Sequence, residues 1–183
     1  MRLPTLRSPR VAAFAIATAA GLGALSLTGI QFAINDSPSM PEGIYLTVPT
    51  RGIQRGDTVA LCIPSGQHAD LYRARGYLPA STRCDSGVAP VLKPLVAAGG
   101  DVVEVRHQQV FVNGNPVPNS WLAHSDSAGR SMPAIADGWK QTLSSDEVFA
   151  LATFADRSLD SRYYGPVPRA LVLAKAYPLF TIR

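Results

Sequence analysis

A chain of 183 residues with a formal net charge of +4 has room for one membrane segment and one domain of about 150 residues, a size at which a single core is stable. Its 17 basic residues are all arginine except Lys93, Lys140 and Lys175. They are scattered, without the basic runs or aromatic-interleaved clusters of a phosphate-backbone footprint, so nucleic-acid binding is not expected; a basic face suits anionic lipid head groups instead.

Residues 11–34 carry no charged side chain. As a helix this run would extend about 36 Å and cross a hydrocarbon core of about 30 Å. Arg2, Arg7 and Arg10 precede it and Asp36 is the first charge after it, so the positive-inside rule puts residues 1–10 in the cytoplasm and 35–183 outside. A cleaved signal peptide is the alternative, but the run exceeds the usual apolar core of about 7 to 15 residues. "NDSPSMPEGIY", Asn35 to Tyr45, follows at once, with Ser37 and Ser39 crowded among prolines where a plain linker would do.

"GDTVALCI", Gly56 to Ile63, has the β-branched and apolar density of a buried strand. Gln67 to Pro90, rich in Gly, Arg, Ser and Pro, is an irregular excursion. Cys62 and Cys84 are the only cysteines and no histidine stands at ligand spacing, so a zinc site is not expected. A disulfide between them would close a loop of about 20 residues and add about 3 kcal/mol in the chain-entropy estimate; the alternative is two small buried thiols. Strands are expected over Val91 to Ala97, Val102 to Arg106 and Gln109 to Val112, with Asn113-Gly114 a tight turn. Asn119 to Gln141 has weak periodicity and is expected as a loop or small insertion. Asp146 to Phe154 and Ala170 to Phe180 are further strands. The soluble part is therefore mainly β, a folded-over antiparallel barrel or sandwich.

Three histidines invite a Ser/His/Asp triad, but His68, His107 and His124 lie in polar or irregular segments and no GxSxG elbow accompanies them. The lysines carry more information, because arginine does not serve as a general base. Lys93 sits among Val91, Leu92, Pro94, Leu95 and Val96, surroundings that disfavour the ammonium, and a neutral amine beside a serine hydroxyl accepts its proton. Lys175 occupies a similar apolar run, and composition does not choose between the two; snorkelling to the surface is the plain alternative for either. Lys140, beside Trp139, reads as a solvated cation.

"SPSMPEG" after an anchor, then "LKPLVAAGGDVVEV", "VFVNG" and "SLDSRYYG", resemble in order and type the boxes of the signal peptidase (leader peptidase) family of Ser/Lys serine proteases. The resemblance covers nearly the whole chain. It implies Ser39 as nucleophile, Lys93 as general base, and an oxyanion hole formed by the Ser37 hydroxyl with the Ser39 backbone NH. It further implies that Ser158 orients the Lys93 amine, and that Asp160 and Arg162 hold their region against the catalytic strand, where Arg162 is also explained by a purely structural ion pair. Pro94 after the lysine, Gly99-Gly100-Asp101 for the usual Pro-Gly-Asp, and Ala155-Asp156-Arg157 for a common Gly-Asp-Asn depart from the pattern without touching nucleophile or base. The compact domain and the "SMPEGIY" opening look more like the conjugative-transfer branch, the TraF-type pilin-maturation peptidases, some of which join the ends of their product. The expectation is an inner-membrane, single-pass peptidase with a periplasmic catalytic domain, no metal or organic cofactor, and a membrane-held precursor as partner. About five residues from Ile34 to Ser39 keep the nucleophile within about 18 Å of the span. The competing readings are a general signal peptidase and a non-catalytic membrane-anchored scaffold of a secretion or pilus complex.

Overall fold

A computed structural model of the chain describes residues 29–50, 52–155 and 157–182. Eleven strands form two antiparallel sheets. The larger takes β1 (Gln31–Asn35), β2 (Gly43–Pro49), β3 (Thr58–Leu61), β4 (Val91–Ala98), β9 (Glu147–Ala150), β10 (Val167–Pro168) and β11 (Val172–Thr181), in the order β1-β2-β11-β3-β4-β9-β10. The smaller takes β5 (Val102–Arg106), β6 (Gln109–Val112), β7 (Asn115–Trp121) and β8 (Lys140–Thr142), in the order β7-β6-β5-β8. The mainly β antiparallel architecture expected from the sequence is the one observed.

Period-two burial explains the layout. In β4, Val91 and Leu95 point into a larger core with Val59, Leu61, Val148 and Ala150, and a register shift between Leu95 and Ala97 breaks the alternation and turns Ala97 into a smaller core with Val103, Val110 and Phe149. Neighbouring residues of β9 feed alternate cores, so that strand is buried on both faces and reads as a continuous apolar run. Asn113 and Gly114 both adopt positive φ (52° and 80°), as the tight turn between β6 and β7 requires. Cys62 and Cys84 are joined in a disulfide, which ties the end of β3 to the excursion.

The structure departs from expectation in four places. Gln67 to Ala74 of the excursion is a helix, α1, because Ala69 and Tyr72 share one side and both are buried in the larger core. A second short helix, α2 (Ser161–Tyr164), opens on Asp160, whose side chain accepts the Arg162 backbone NH at 3.2 Å. The expected insertion from Asn119 to Gln141 gives up its two ends to β7 and β8. Of the run expected to cross the membrane, residues 11–28 lie outside those described, and Gln31 to Ile34 belong to β1, paired through Ile34 with Ile44. Absence of charge does not distinguish an apolar strand from the end of a helix. Among the described residues no helix is long and apolar enough to cross a membrane.

Candidate active site

The stretch Asp36 to Glu42 is the turn of the hairpin between β1 and β2, closed by the pair Asn35 and Gly43. Gly43 has φ 145°, and a Cβ there would lie 2.0 Å from the Phe180 carbonyl oxygen on β11. Only glycine allows the turn to sit that close to its neighbouring strand. Two prolines, Pro38 and Pro41, stiffen the turn, and Ser39 lies at its centre, 5% exposed.

Lys93 comes to Ser39 from β4, 54 positions along the chain, and its Nζ donates to Ser39 Oγ at 2.6 Å. Alternation along β4 turns it to the same side as Val91 and Leu95, and it is 4% exposed. Burial pushes its ammonium down from the ordinary 10.5 to about 8; the Asp160 carboxylate pulls it up and the Arg162 guanidinium presses it down. Lys175, the competitor, is instead paired with Asp57 at 2.9 Å, and Lys140 is exposed and lies 3.7 Å from Glu104. None of the three histidines lines the cavity that holds Ser39.

Ser37 Oγ lies 3.0 Å from Ser39 Oγ and 3.4 Å from the Ser39 amide nitrogen. The Ser39 NH thus donates to the Ser37 hydroxyl oxygen, and the two hydroxyls lie side by side at the cavity. Ser158 reaches the same cavity of about 1000 Å³. Its buried hydroxyl, however, finds no hydrogen-bond partner among the described residues, and it does not bond to the Lys93 amine as the resemblance implied.

Asp160 and Arg162 are both fully buried and form a bidentate pair, Nε to Oδ1 and Nη2 to Oδ2, each 2.8 Å. Asp160 accepts the Ala152 NH at 3.2 Å, and Arg162 donates to the Trp121 carbonyl at 2.9 Å. The route to β4 runs through Leu151, whose NH reaches the Pro94 carbonyl at 3.0 Å.

Sequence reasoning missed two side chains in the turn. Asn35 donates through Nδ2 to the carbonyls of Ser37, Met40 and Pro41, at 3.0, 3.1 and 3.1 Å, and Tyr45 Oη donates to Pro41 at 2.7 Å. An Asn two residues before a serine, leading into prolines, is a turn signal that could have pointed to the first. The far wall of the cavity includes Tyr77, whose hydroxyl donates to Asp126 and so joins the disulfide-tethered excursion to the segment after β7.

A buried amine within hydrogen-bond distance of a buried serine hydroxyl, with a second hydroxyl beside it, is a constellation suited to acyl transfer by an activated serine. A probable conjugal transfer protein TraF of Sinorhizobium fredii is 38% identical over 175 residues, covering 94% of this chain and 90% of that protein. A plasmid transfer protein TraF of Escherichia coli is 32% identical over 166 residues, covering 88% of this chain and 92% of that one. Among solved structures, a signal peptidase I of Enterococcus faecalis is 23% identical with a TM-score of 0.38, over 68% of this chain and 97% of that chain. Residues 8–180 match the family described as signal peptidase, peptidase S26, and it is to this family that the chain belongs.

Proposed function

We propose that this chain is a membrane-held serine endopeptidase of conjugal transfer that processes a pilin-type precursor with Ser39 as nucleophile and Lys93 as general base. The observation that carries the proposal is the 2.6 Å contact between Lys93 Nζ and Ser39 Oγ, made by a lysine that burial has brought down to about 8. In the neutral form the amine accepts the Ser39 proton as Oγ attacks the scissile carbonyl carbon. The oxyanion is held by the Ser39 NH and the Ser37 hydroxyl. Collapse breaks the carbon–nitrogen bond, and the departing amine takes its proton from the Lys93 ammonium. Water, or the substrate's own amine in a cyclising reaction, then attacks the ester, and the proton returns to Ser39 Oγ.

The names of the relatives support a role in conjugal transfer rather than general export. The uncharged run that precedes β1, residues 11–30, with arginines before it, supports a single span with a cytoplasmic N-terminus and a periplasmic domain. Contact with the bilayer is supported by Phe32, Ile34, Ile44 and Phe180, which are exposed on adjoining strands.

The test is mass spectrometry of a pilin-type precursor co-expressed with the native chain and with Ser39→Ala, Lys93→Ala and Lys175→Ala. Loss of processing in the first two variants alone is the expected result, and a cyclic product is lighter than the linear one by one water. Processing by Ser39→Ala at the native level would refute the catalytic reading and leave the scaffold reading. Processing of signal-peptide-bearing preproteins but no pilin precursor would make the chain a general signal peptidase.

A further inference from the structure

The turn that presents Ser39 has many carbonyls and few donors. Pro38 and Pro41 contribute no NH, and the carbonyls of Ser37, Met40 and Pro41 all turn inward, where each needs a partner. Asn35, 9% exposed, meets all three with one amide group, two N–H bonds shared among three oxygens. Three acceptors around one end of the side chain also fix which end is nitrogen. The other end, Oδ1, faces the Ser37 NH at 3.4 Å.

We infer that Asn35 is the positioning residue of the nucleophile turn: by gathering the carbonyls on both sides of Ser39, it sets where the Ser39 hydroxyl and NH point. Its own placement is rigid, because it ends β1 opposite Gly43 and β2 is held in turn by β11. Fixing the Ser37 carbonyl fixes the peptide plane entering Pro38, and the same carbonyl accepts the Met40 NH at 3.4 Å, which holds the plane leaving Ser39; the Met40 and Pro41 carbonyls fix the two planes that follow. With these planes set, Ser39 Oγ is directed at Lys93 and the Ser39 NH at Ser37 Oγ. Tyr45 supports the same carbonyl of Pro41 from the other side but touches nothing nearer the nucleophile.

Asn35→Asp keeps the shape and replaces the donor by an oxygen facing three carbonyl oxygens, so it tests the donors and not the packing. The inference rests on the peptidase reading, and the first measurement is chosen to be independent of any substrate. In the full chain carrying Ser39→Cys, residue 39 bears the one free thiol, since Cys62 and Cys84 are bonded to each other. Its alkylation by iodoacetamide as a function of pH reports the thiolate held beside Lys93. Adding Asn35→Asp is expected to move the midpoint up toward the free-thiol value of about 8.5, as adding Lys93→Met does. In the Ser39 protein, Asn35→Asp is expected to lower kcat for a pilin-type precursor about 100-fold, with KM within about threefold, since the change acts on transition-state donors. An unchanged alkylation profile, or a kcat within threefold of native, would overturn the inference. If Asn35→Asp does not fold, Asn35→Ser, which keeps one small donor, is measured in the same way; failure of both to fold makes Asn35 a determinant of the whole fold and also overturns it. If the alkylation profile responds to Asn35 while the native chain processes no precursor, the positioning role stands and the peptidase reading falls.

Discussion

Lys93 is a residue on which burial has a direct chemical effect. Its charged form is disfavoured in the fold, with an ammonium near 8 against 10.5 in the unfolded chain. Between those two values the unfolded state binds more protons than the folded one, so stability rises with pH across that window and is flat below it. The expected rise is up to about 3 kcal/mol from pH 8 to pH 10.5. Chemical denaturation at several pH values checks it, and Lys93→Met should flatten the curve. Under the proposed function the same titration raises activity in the same direction: a general base must be neutral, so the processing rate should climb as pH passes about 8. Ser37 is a different test, because under the proposed function its hydroxyl would supply a donor and not a proton acceptor. Ser37→Ala should lower kcat about 10²- to 10³-fold with the melting temperature unchanged, measured by single-turnover processing.

Short elements, not long ones, fix the site. The buried pair of Asp160 and Arg162 ties α2 to the ends of β7 and β9, and breaking a buried pair on one side leaves an uncompensated charge. Asp160→Ala should lose about 3 to 5 kcal/mol in denaturant unfolding, and Asp160→Leu with Arg162→Met should recover part of it. The disulfide acts on a second element: it closes a loop of 22 residues whose tip, around Tyr77 to Pro79, forms a cavity wall. Reduction should lower stability by about 3 kcal/mol and raise KM more than it lowers kcat, read by denaturation and by precursor titration. These contacts also explain what could be foreseen. The strands β4 to β6 and the turn at Asn113 were legible because alternation and turn chemistry are local. Lys93 over Lys175 was not decided by composition, since both sit in apolar runs; Asp57 decides it by pairing with Lys175, a contact 118 positions distant in sequence. The hairpin of β1 and β2 was missed because its first strand continues an uncharged run, and α1 because its apolar side is only Ala69 and Tyr72 wide.

On the scale of the whole molecule, the turn that carries Ser39 adjoins the most exposed apolar surface, which spreads over β1, β2 and β11. Cross-strand register puts Ile34, Ile44 and Phe180 in one row and Phe32, Leu46 and Tyr177 in the next. Ile34 is 81% exposed and Phe180 64%, far more than large apolar side chains of a core strand. A surface of this kind rimmed by a catalytic turn is explained by contact with lipid under the proposed function, each side chain gaining about 1.5 to 3 kcal/mol when removed from water. The anchor would keep the chain at the membrane in any variant, so the face would set depth and tilt, and with them the height at which Ser39 meets a membrane-held cleavage site. Ile44→Asp combined with Phe180→Asp should therefore separate two activities of the full chain. Processing of a precursor embedded in vesicles should fall about tenfold or more, while cleavage of the same site in a short soluble peptide should change by less than about twofold, because neither side chain lines the cavity that holds Ser39. Equal loss on both substrates would mean that these residues support the turn itself, and the lipid role would be withdrawn.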